Sequence, residues 1–147
     1  MPTRVPYEIR TPRLVLRCWQ PNDAALLKEA IDASLEHLRP WMPWAVFEPE
    51  PLNVKVERLR KFRGQFDLDQ QYVYGIFNPD ETLVLGSSGL HKRLEDSSLE
   101  IGYWIHAGWI NQGYATETAA ALTKAAFQFF RVQRVEIHCD AGNVRSA

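Results

Sequence analysis

The stretch that decides the fold runs from Leu99 to Phe130: it opens with LEIGYWI at residues 99–105, continues through INQGYATE at residues 110–117 and ends in an alanine-rich segment. The first part is an apolar run typical of a strand, and the alanine-rich part is typical of a helix. A strand that leads through a glycine turn into a helix brings free main-chain N–H groups and the positive end of the helix dipole together. Such a place attracts an anion, and we expect a phosphate there.

The residues of the turn suit a pyrophosphate. Gly113 can adopt backbone angles that are strained for other residues. Ala115 adds only a methyl group beside the turn, and Thr116 adds a hydroxyl donor. A glycine turn between a strand and a helix also occurs where nothing binds. The pattern alone therefore fits an ordinary strand-to-helix connection as well as it fits a binding site.

The segments on either side predict a mixed α+β domain. Alternating or continuous apolar runs bounded by turn residues indicate strands, and apolar residues at helical spacing indicate helices. The strand reached after the crossover helix is expected to pair in parallel with the Leu99 strand. The predicted strands are Leu14–Trp19, Tyr72–Phe77, Leu83–His91, Leu99–His106 and Arg134–Cys139, and the predicted helices run from Asn22 or Asp23 to about Glu36, from about Asn53 to Leu68 and from about Gly113 to Phe130.

The predicted helix over 53–68 carries a basic set of residues around an apolar stripe. A solvated face is favoured over a contact with nucleic acid or with cofactor phosphates, because Glu57, Asp67 and Asp69 dilute the positive charge. The basic residues are Lys55, Arg58, Arg60, Lys61 and Arg63.

Composition limits the partners and the compartment. The 147 residues are 46% hydrophobic and 24% charged, with a net charge of -1, so no broad field attracts nucleic acid or an anionic membrane. Cys18 and Cys139 fall in predicted strands and are interpreted as buried, reduced thiols. No apolar run approaches the length of a membrane span, and no signal peptide is present. We therefore expect a cytoplasmic protein with neither membrane nor general nucleic-acid partners.

Four stretches occur in a familiar order: TPRLVLRCW from Thr11, LRPWMPWA from Leu38, EIGYWI from Glu100 and QGYATE from Gln112. Together they resemble the GNAT superfamily of N-acetyltransferases, and within it the RimL-type branch of ribosomal-protein N-terminal acetyltransferases. The resemblance implies a mixed, mostly antiparallel sheet flanked by helices. It also implies parallel pairing of the two strands around the motif helix.

The acyl-CoA motif of that family is Gln or Arg, two residues, Gly, one residue, then Gly or Ala. Here Gly113, Tyr114 and Ala115 match its second half, whereas Ile110 departs at the first position, so main-chain contacts are expected there and a side-chain contact is not. The resemblance implies acetyl-CoA as co-substrate. It implies that Asn143 approaches the pantetheine or the adenine end of the cofactor. The pantetheine arm and the oxyanion are implied to contact the main chain of Trp104, Ile105 and His106, and the pyrophosphate to contact Gln112, Gly113, Tyr114, Ala115 and Thr116.

Direct acetyl transfer needs a deprotonated amine. Deprotonation at pH 7 costs about 1.4 kcal/mol for an α-amine with a pKa of about 8, and more than about 4 kcal/mol for a lysine. Glu100 is the candidate base, acting through water as the resemblance implies, and a cross-strand salt bridge is the equally open alternative. Glu117 is better explained by the helix dipole, and His106 as a polar strand end.

The acceptor is less constrained by the sequence. The resemblance places Trp41 and Trp44 beside the acceptor groove, and a role in plugging the core is equally open. We expect acetylation of a primary amine, first a protein N-terminal α-amine and second an antibiotic or a polyamine, for which Glu48 and Glu50 are the nearby acidic residues. A non-catalytic acyl-CoA-binding module is the alternative of another class.

The end of the sequence also departs from the family. Asn143 and Ser146 match the opening of a further helix, but the sequence ends at Ala147. We therefore expect residues 1–147 to form a single domain that lacks the C-terminal elements of the family, including its thiol-protonating tyrosine. The resemblance leaves a homodimer open.

Overall fold

The computed structural model describes residues 5–92, 98–129 and 134–137. Short 3₁₀ turns occupy Pro21–Asp23, Pro43–Phe47 and Ala107–Trp109. In chain order the regular elements are β1 (Glu8–Arg10), β2 (Val15–Cys18), α1 (Ala24–Asp32), α2 (Leu35–Leu38), α3 (Leu52–Asp67), β3 (Tyr72–Phe77), β4 (Val84–Lys92), β5 (Ser98–Ile105), α4 (Tyr114–Phe129) and β6 (Arg134–Ile137).

The six described strands form one sheet in the order β1-β2-β3-β4-β5-β6. Neighbouring strands are antiparallel until β5 and β6, which are parallel, with Ser98 opposite Arg134 and Ile101 opposite Ile137. Helix α4 makes the crossover between them, as a parallel pair requires. The predicted α+β class and the predicted parallel pair are confirmed, whereas the short edge strand β1 was not predicted.

Side chains alternate between two cores on opposite faces of the sheet. On β5, Leu99, Ile101 and Ile105 belong to the core that α4 covers with Leu122 and Ala126. Trp104 belongs to the other core, which is built mainly from α1, α2 and α3. The sheet is therefore covered on both sides, which is why so many of its strand positions are apolar.

The first predicted helix is broken, contrary to the expectation that it runs to about Glu36. Helix α1 ends at Asp32, and Ser34 leaves helical geometry with ψ near 6° before α2 begins. The reason is a partly buried tertiary hydrogen bond: the Ser34 hydroxyl accepts from the main-chain N–H of Ala107 at 2.8 Å. The break thus fixes α2 against the carboxyl end of β5.

The expectation of a wholly solvated basic face on α3 is wrong at Lys55, whose side chain is fully buried. Its ammonium group bonds Glu48 and lies 3.0 Å from Glu50. A buried cation is tolerated when carboxylates compensate its charge, and two do so here. Helical spacing does not reveal this, because both carboxylates precede the helix.

The TPRL segment is held against the first turn of α4. The Glu117 carboxylate accepts hydrogen bonds from the Thr11 hydroxyl and from both the main-chain N–H and Nε of Arg13, the last two at 3.1 and 2.7 Å. Arg13 also donates to the Gln112 carbonyl at 2.8 Å. Burial alone would raise the pKa of Glu117, but the bonds from Thr11 and Arg13 outweigh it and hold the pKa below the usual 4.5.

Further predictions concern the cysteines, a membrane span, the location of the protein and the number of domains. Cys18 is buried and free, as expected, while Cys139 lies outside the described residues. Within 5–92, 98–129 and 134–137, no helix has the length and apolar character needed to cross a membrane. The cytoplasmic location and the single domain over residues 1–147 stay predictions.

Replacing Glu117 with glutamine is expected to lower the free energy of unfolding by about 1–2 kcal/mol at pH 7, because charge-assisted hydrogen bonds at a helix N-terminus are lost. Urea denaturation measures the loss. A carboxylate whose folded-state pKa is depressed stabilises above its unfolded pKa, so the deficit should shrink as the pH falls below 4.5.

The matched control is Glu57→Gln. Glu57 pairs with Arg60 on the exposed surface of α3, with side chains 67% and 64% exposed. Its replacement should change the free energy of unfolding by less than about 0.5 kcal/mol. Equal effects of the two substitutions would contradict the structural role of Glu117.

Candidate active site

A cavity of about 750 Å³ opens on the face of the sheet that carries α1 and α3. Its floor is formed by β3, β4 and β5, and its walls by α1, α3 and the segment around the turn Pro43–Phe47. Its lining residues are Trp19, Leu27, Ile31, Trp41, Met42, Pro43, Trp44, Arg58, Phe62, Val73, Ser87, Ser88, His91, Glu100, Gly102, Tyr103 and Trp104.

Gly102 of β5 leaves room on the floor of this cavity. Its partner directly opposite on β4 is also a glycine, Gly89, but the His91 ring lies over that position, 3.1 Å from where a Cβ would stand. A Cβ atom placed on Gly102 would meet nothing within 4 Å. The sheet surface is therefore open at this point, and a bound molecule can approach the main chain of β5.

Tryptophans form much of the wall. Trp44 and Trp104 have ring centroids 6.1 Å apart with the planes inclined by 56°. Trp41 and Trp19 also line the cavity. The indole N–H of Trp19 donates a hydrogen bond to the Ser87 hydroxyl at 3.3 Å, which fixes the orientation of the ring. The structure thus brings the two predicted acceptor-side tryptophans, Trp41 and Trp44, to the same cavity as Glu100 and Trp104.

A histidine that the sequence interpretation did not select faces Glu100. His91 of β4 lies directly opposite Glu100 of β5, and both line the cavity. The Nδ1 atom of His91 lies 3.1 Å from the side-chain oxygen of Gln71. Burial lowers the pKa of His91 and the Glu100 carboxylate raises it, with a net lowering from 6.5.

Arg58 also lines the cavity, but its charge is already matched. Its guanidinium donates to both carboxylate oxygens of Glu50 at 2.6 and 3.2 Å, and its Nη1 lies 3.8 Å from Glu48. Hydrogen bonds from Arg58 and Lys55 lower the pKa of Glu50 to about 2, against the opposing effect of burial. These two cations and two carboxylates form a cluster without net charge.

A second cavity of about 270 Å³ lies at the start of α4. The residues that surround it are His37, Ile105, Trp109, Ile110, Asn111, Gly113, Tyr114, Ala115 and Thr116. Gly113 has a φ of 81°, a conformation that glycine adopts without strain. Among the described residues, no hydrogen bond is donated by the main-chain N–H groups from Gln112 to Thr116, so these donors remain available to an anion.

The two cavities reach the end of β5 from opposite faces of the sheet. Trp104 lines the large cavity, and the next residue, Ile105, lines the small one. A molecule that occupies both must therefore pass the last residues of this strand. The pairing of β5 with β6 is described up to Ile101 and Ile137, and the residues that follow Ile137 lie outside the described part of the chain.

Of the residues expected to contact the cofactor, His106 and Gln112 do not line the small cavity, although the main-chain N–H of Gln112 donates to no group among the described residues. The main-chain N–H of His106 donates to Leu85 at 2.7 Å and its ring accepts from Gly108 at 2.9 Å, so this residue caps the 3₁₀ turn and has no free main-chain donor. The Gln112 carbonyl accepts from Arg13. Asn143 lies outside the described residues.

Sequence reasoning missed His91, His37 and the contacts of Arg13. His91 was the last residue of a predicted strand, and only the register of β4 against β5 places it opposite Glu100. Periodicity along one strand does not give the register between two strands, so the sequence could not show that His91 faces Glu100. His37 and Arg13 approach the start of α4 from elements distant in sequence, and no local pattern signals such contacts.

Comparison with known proteins agrees with this geometry. The model of the acetyltransferase (GNAT) domain family matches residues 13–147. The chain is 25% identical over 138 residues to the uncharacterised N-acetyltransferase YnaD of Bacillus subtilis (strain 168), covering 94% of this chain and 76% of that protein.

Solved structures share the fold. The microcin C7 self-immunity acetyltransferase MccE, in complex with acetyl-CoA and AMP, matches with a TM-score of 0.84 at 18% identity, over 96% of this chain and 78% of that one. RimL, the ribosomal L7/L12 alpha-N-protein acetyltransferase in complex with coenzyme A, matches with a TM-score of 0.81 at 17% identity, over 98% and 78%. Taken with the family match over residues 13–147, the chain belongs to the GNAT family of acetyl-CoA-dependent acetyltransferases.

Proposed function

We propose that this acetyltransferase moves the acetyl group directly from acetyl-CoA to a protein N-terminal α-amine. The observation that carries the proposal is the pair of cavities that consecutive residues at the end of β5, Trp104 and Ile105, line from opposite faces of the sheet. One presents free main-chain donors, and the other presents aromatic walls with Glu100 and His91. A phosphate-bearing donor and an amine can thus approach the same strand end from two sides.

On the donor side, the start of α4 supplies the anion contacts. The main-chain N–H groups from Gln112 to Thr116 and the helix dipole suit the diphosphate of acetyl-CoA. Thr11 and Arg13 hold this turn in place through Glu117. Acetyl-CoA supplies the thioester, and the chain contributes binding, alignment and exclusion of water.

On the acceptor side, Glu100 is placed to assist deprotonation of the amine through water. Loss of one proton from an α-amine at pH 7 costs only about 1.4 kcal/mol, which a weak carboxylate base can offset. The empty space over Gly102 lets the amine approach the main chain of β5. No covalent enzyme intermediate is required, and the free cysteine Cys18 is buried in the core, away from both cavities.

The charge distribution favours an α-amine over a polyamine. A polyamine needs several carboxylates, yet Glu48 and Glu50 are already neutralised by Lys55 and Arg58. A polypeptide acceptor also needs surface beyond the cavity. Phe47, 78% exposed, follows the wall residue Trp44 by three positions and offers an apolar surface of this kind.

Acetyl-CoA at 100 times its dissociation constant should add about 2.7 kcal/mol of stability, or about 5–10 °C in Tm. A thermal-shift titration measures the rise. Gly113→Ala should more than halve it, because alanine is strained at a φ of 81° and the adjoining donors shift.

Gly64→Ala is the matched control, since Gly64 lies within α3 and a Cβ there meets nothing within 4 Å. This variant should keep the full acetyl-CoA shift. A wild-type protein without any shift, or equal shifts in the two glycine variants, would contradict the proposed donor site.

Gly102→Val places two methyl groups into the open floor of the large cavity. We expect at least a tenfold loss of kcat/KM for acetylation of peptides that begin with Ser or Ala, while the acetyl-CoA thermal shift is kept. Release of CoA thiol measures the rate.

Spermidine, tested in parallel, should be the poorer substrate of the wild-type protein, and a preference for spermidine would overturn the proposed acceptor class.

A further inference from the structure

His91 and Glu100 occupy directly opposite positions on neighbouring antiparallel strands. Side chains at such positions have Cβ atoms about 4.5–5.5 Å apart and interact across the strands. Both line the large cavity, whose floor is open at Gly102. A histidine and a carboxylate therefore face the same space in which the acceptor amine must lose its proton.

The ring of His91 is oriented by Gln71. Its Nδ1 atom lies 3.1 Å from the Gln71 side-chain oxygen, and an amide oxygen only accepts hydrogen bonds, so Nδ1 carries the proton. The lone pair of the neutral ring is then on Nε2. This atom lies over the glycine floor, because a Cβ placed on Gly89 would lie 3.1 Å from it.

Burial, and not the surrounding charge, favours the neutral, basic form of His91. Burial lowers its pKa, and the Glu100 carboxylate on β5 raises it by a smaller amount. From α3 the charged group at the cavity is Arg58, which is paired with Glu50. From the segment before β3 the neighbour is the neutral amide of Gln71, and Tyr103 is the other titratable residue of the lining.

We propose that His91 and Glu100 act as one proton-accepting pair, in which Nε2 of His91 receives a proton from the acceptor ammonium and Glu100 stabilises the resulting imidazolium. The inference rests on the proposed function and adds His91 to it as a second catalytic residue, so that Glu100 acts on the proton through the His91 ring in place of a water molecule. Two interacting groups of this kind hold a proton as a unit.

The proton and bond changes balance. The ammonium gives one proton to Nε2, and the neutral amine attacks the thioester carbon, forming a C–N bond as the C–S bond breaks. The second nitrogen proton neutralises the CoA thiolate, and His91 returns its proton to water. The products are the acetylated amine, CoA thiol and one proton.

Other titratable groups near the site have different partners. The Nδ1 atom of His106 accepts from Gly108, and its Nε2 lies 3.6 Å from Glu29. Glu117 is bound by Thr11 and Arg13. Neither residue lines the large cavity, so neither competes with the pair for the acceptor proton.

The kinetic test compares wild type, His91→Asn and Glu100→Gln between pH 6 and 9.5, with a peptide that begins with Ser. A general base contributes at least about 10²-fold, so His91→Asn should lose about 100-fold in kcat at pH 6.5. The deficit should fall to a few-fold at pH 9.5, because an α-amine with a pKa of about 8 is then already neutral and needs no base. Arg60→Gln, on the exposed surface of α3, should behave as wild type.

The second readout is independent of the acceptor. Titration of the ring signals of His91 by NMR should give a pKa below 6.5, and Glu100→Gln should lower it further, because the carboxylate raises it. An unchanged His91 pKa in Glu100→Gln would overturn the proposed pair, whichever acceptor the protein uses.

The outcomes separate the two claims. A wild-type protein that binds acetyl-CoA but acetylates neither peptide nor spermidine would refute the proposed function. A wild-type protein that acetylates the peptide, together with a His91→Asn deficit that is absent or the same at every pH, would refute the pair alone.

Discussion

The hydrogen bonds from Thr11 and Arg13 to Glu117 join two parts of the chain more than a hundred residues apart. They fix the segment that enters the second strand against the first turn of α4. That turn presents the free main-chain donors from Gln112 to Thr116, and Arg13 also holds the Gln112 carbonyl. The Glu117 carboxylate therefore fixes the segment before β2 against the turn that carries the main-chain donors of the anion site.

The register of β4 against β5 has a similar effect on the acceptor side. It places Gly89 opposite Gly102 and His91 opposite Glu100 on the same face of the sheet. Gly102 of the first pair opens the floor of the cavity, and the second pair supplies titratable groups. A slip of β4 by one residue would turn Gly89 and His91 to the other face, so the site depends on this register.

The sequence predicted those features that arise from local patterns. The strand–glycine turn–helix unit, the parallel pair around α4 and the strand Tyr72–Phe77 follow from periodicity and turn residues. The break at Ser34, the burial of Lys55 and the pairing of His91 with Glu100 did not follow. The break at Ser34 depends on a partner distant in sequence, the burial of Lys55 on carboxylates in the irregular segment before its helix, and the pairing of His91 on strand register. Periodicity carries no information on any of these.

A crystal structure of the protein with acetyl-CoA bound tests the donor site and the acceptor site together. We expect diphosphate oxygens within about 3.2 Å of main-chain nitrogens between Gln112 and Thr116, and the acetyl group on the side of Gly102 and Glu100. Acetyl-CoA bound with its diphosphate away from these nitrogens, or with its acetyl group outside the large cavity, would contradict this arrangement.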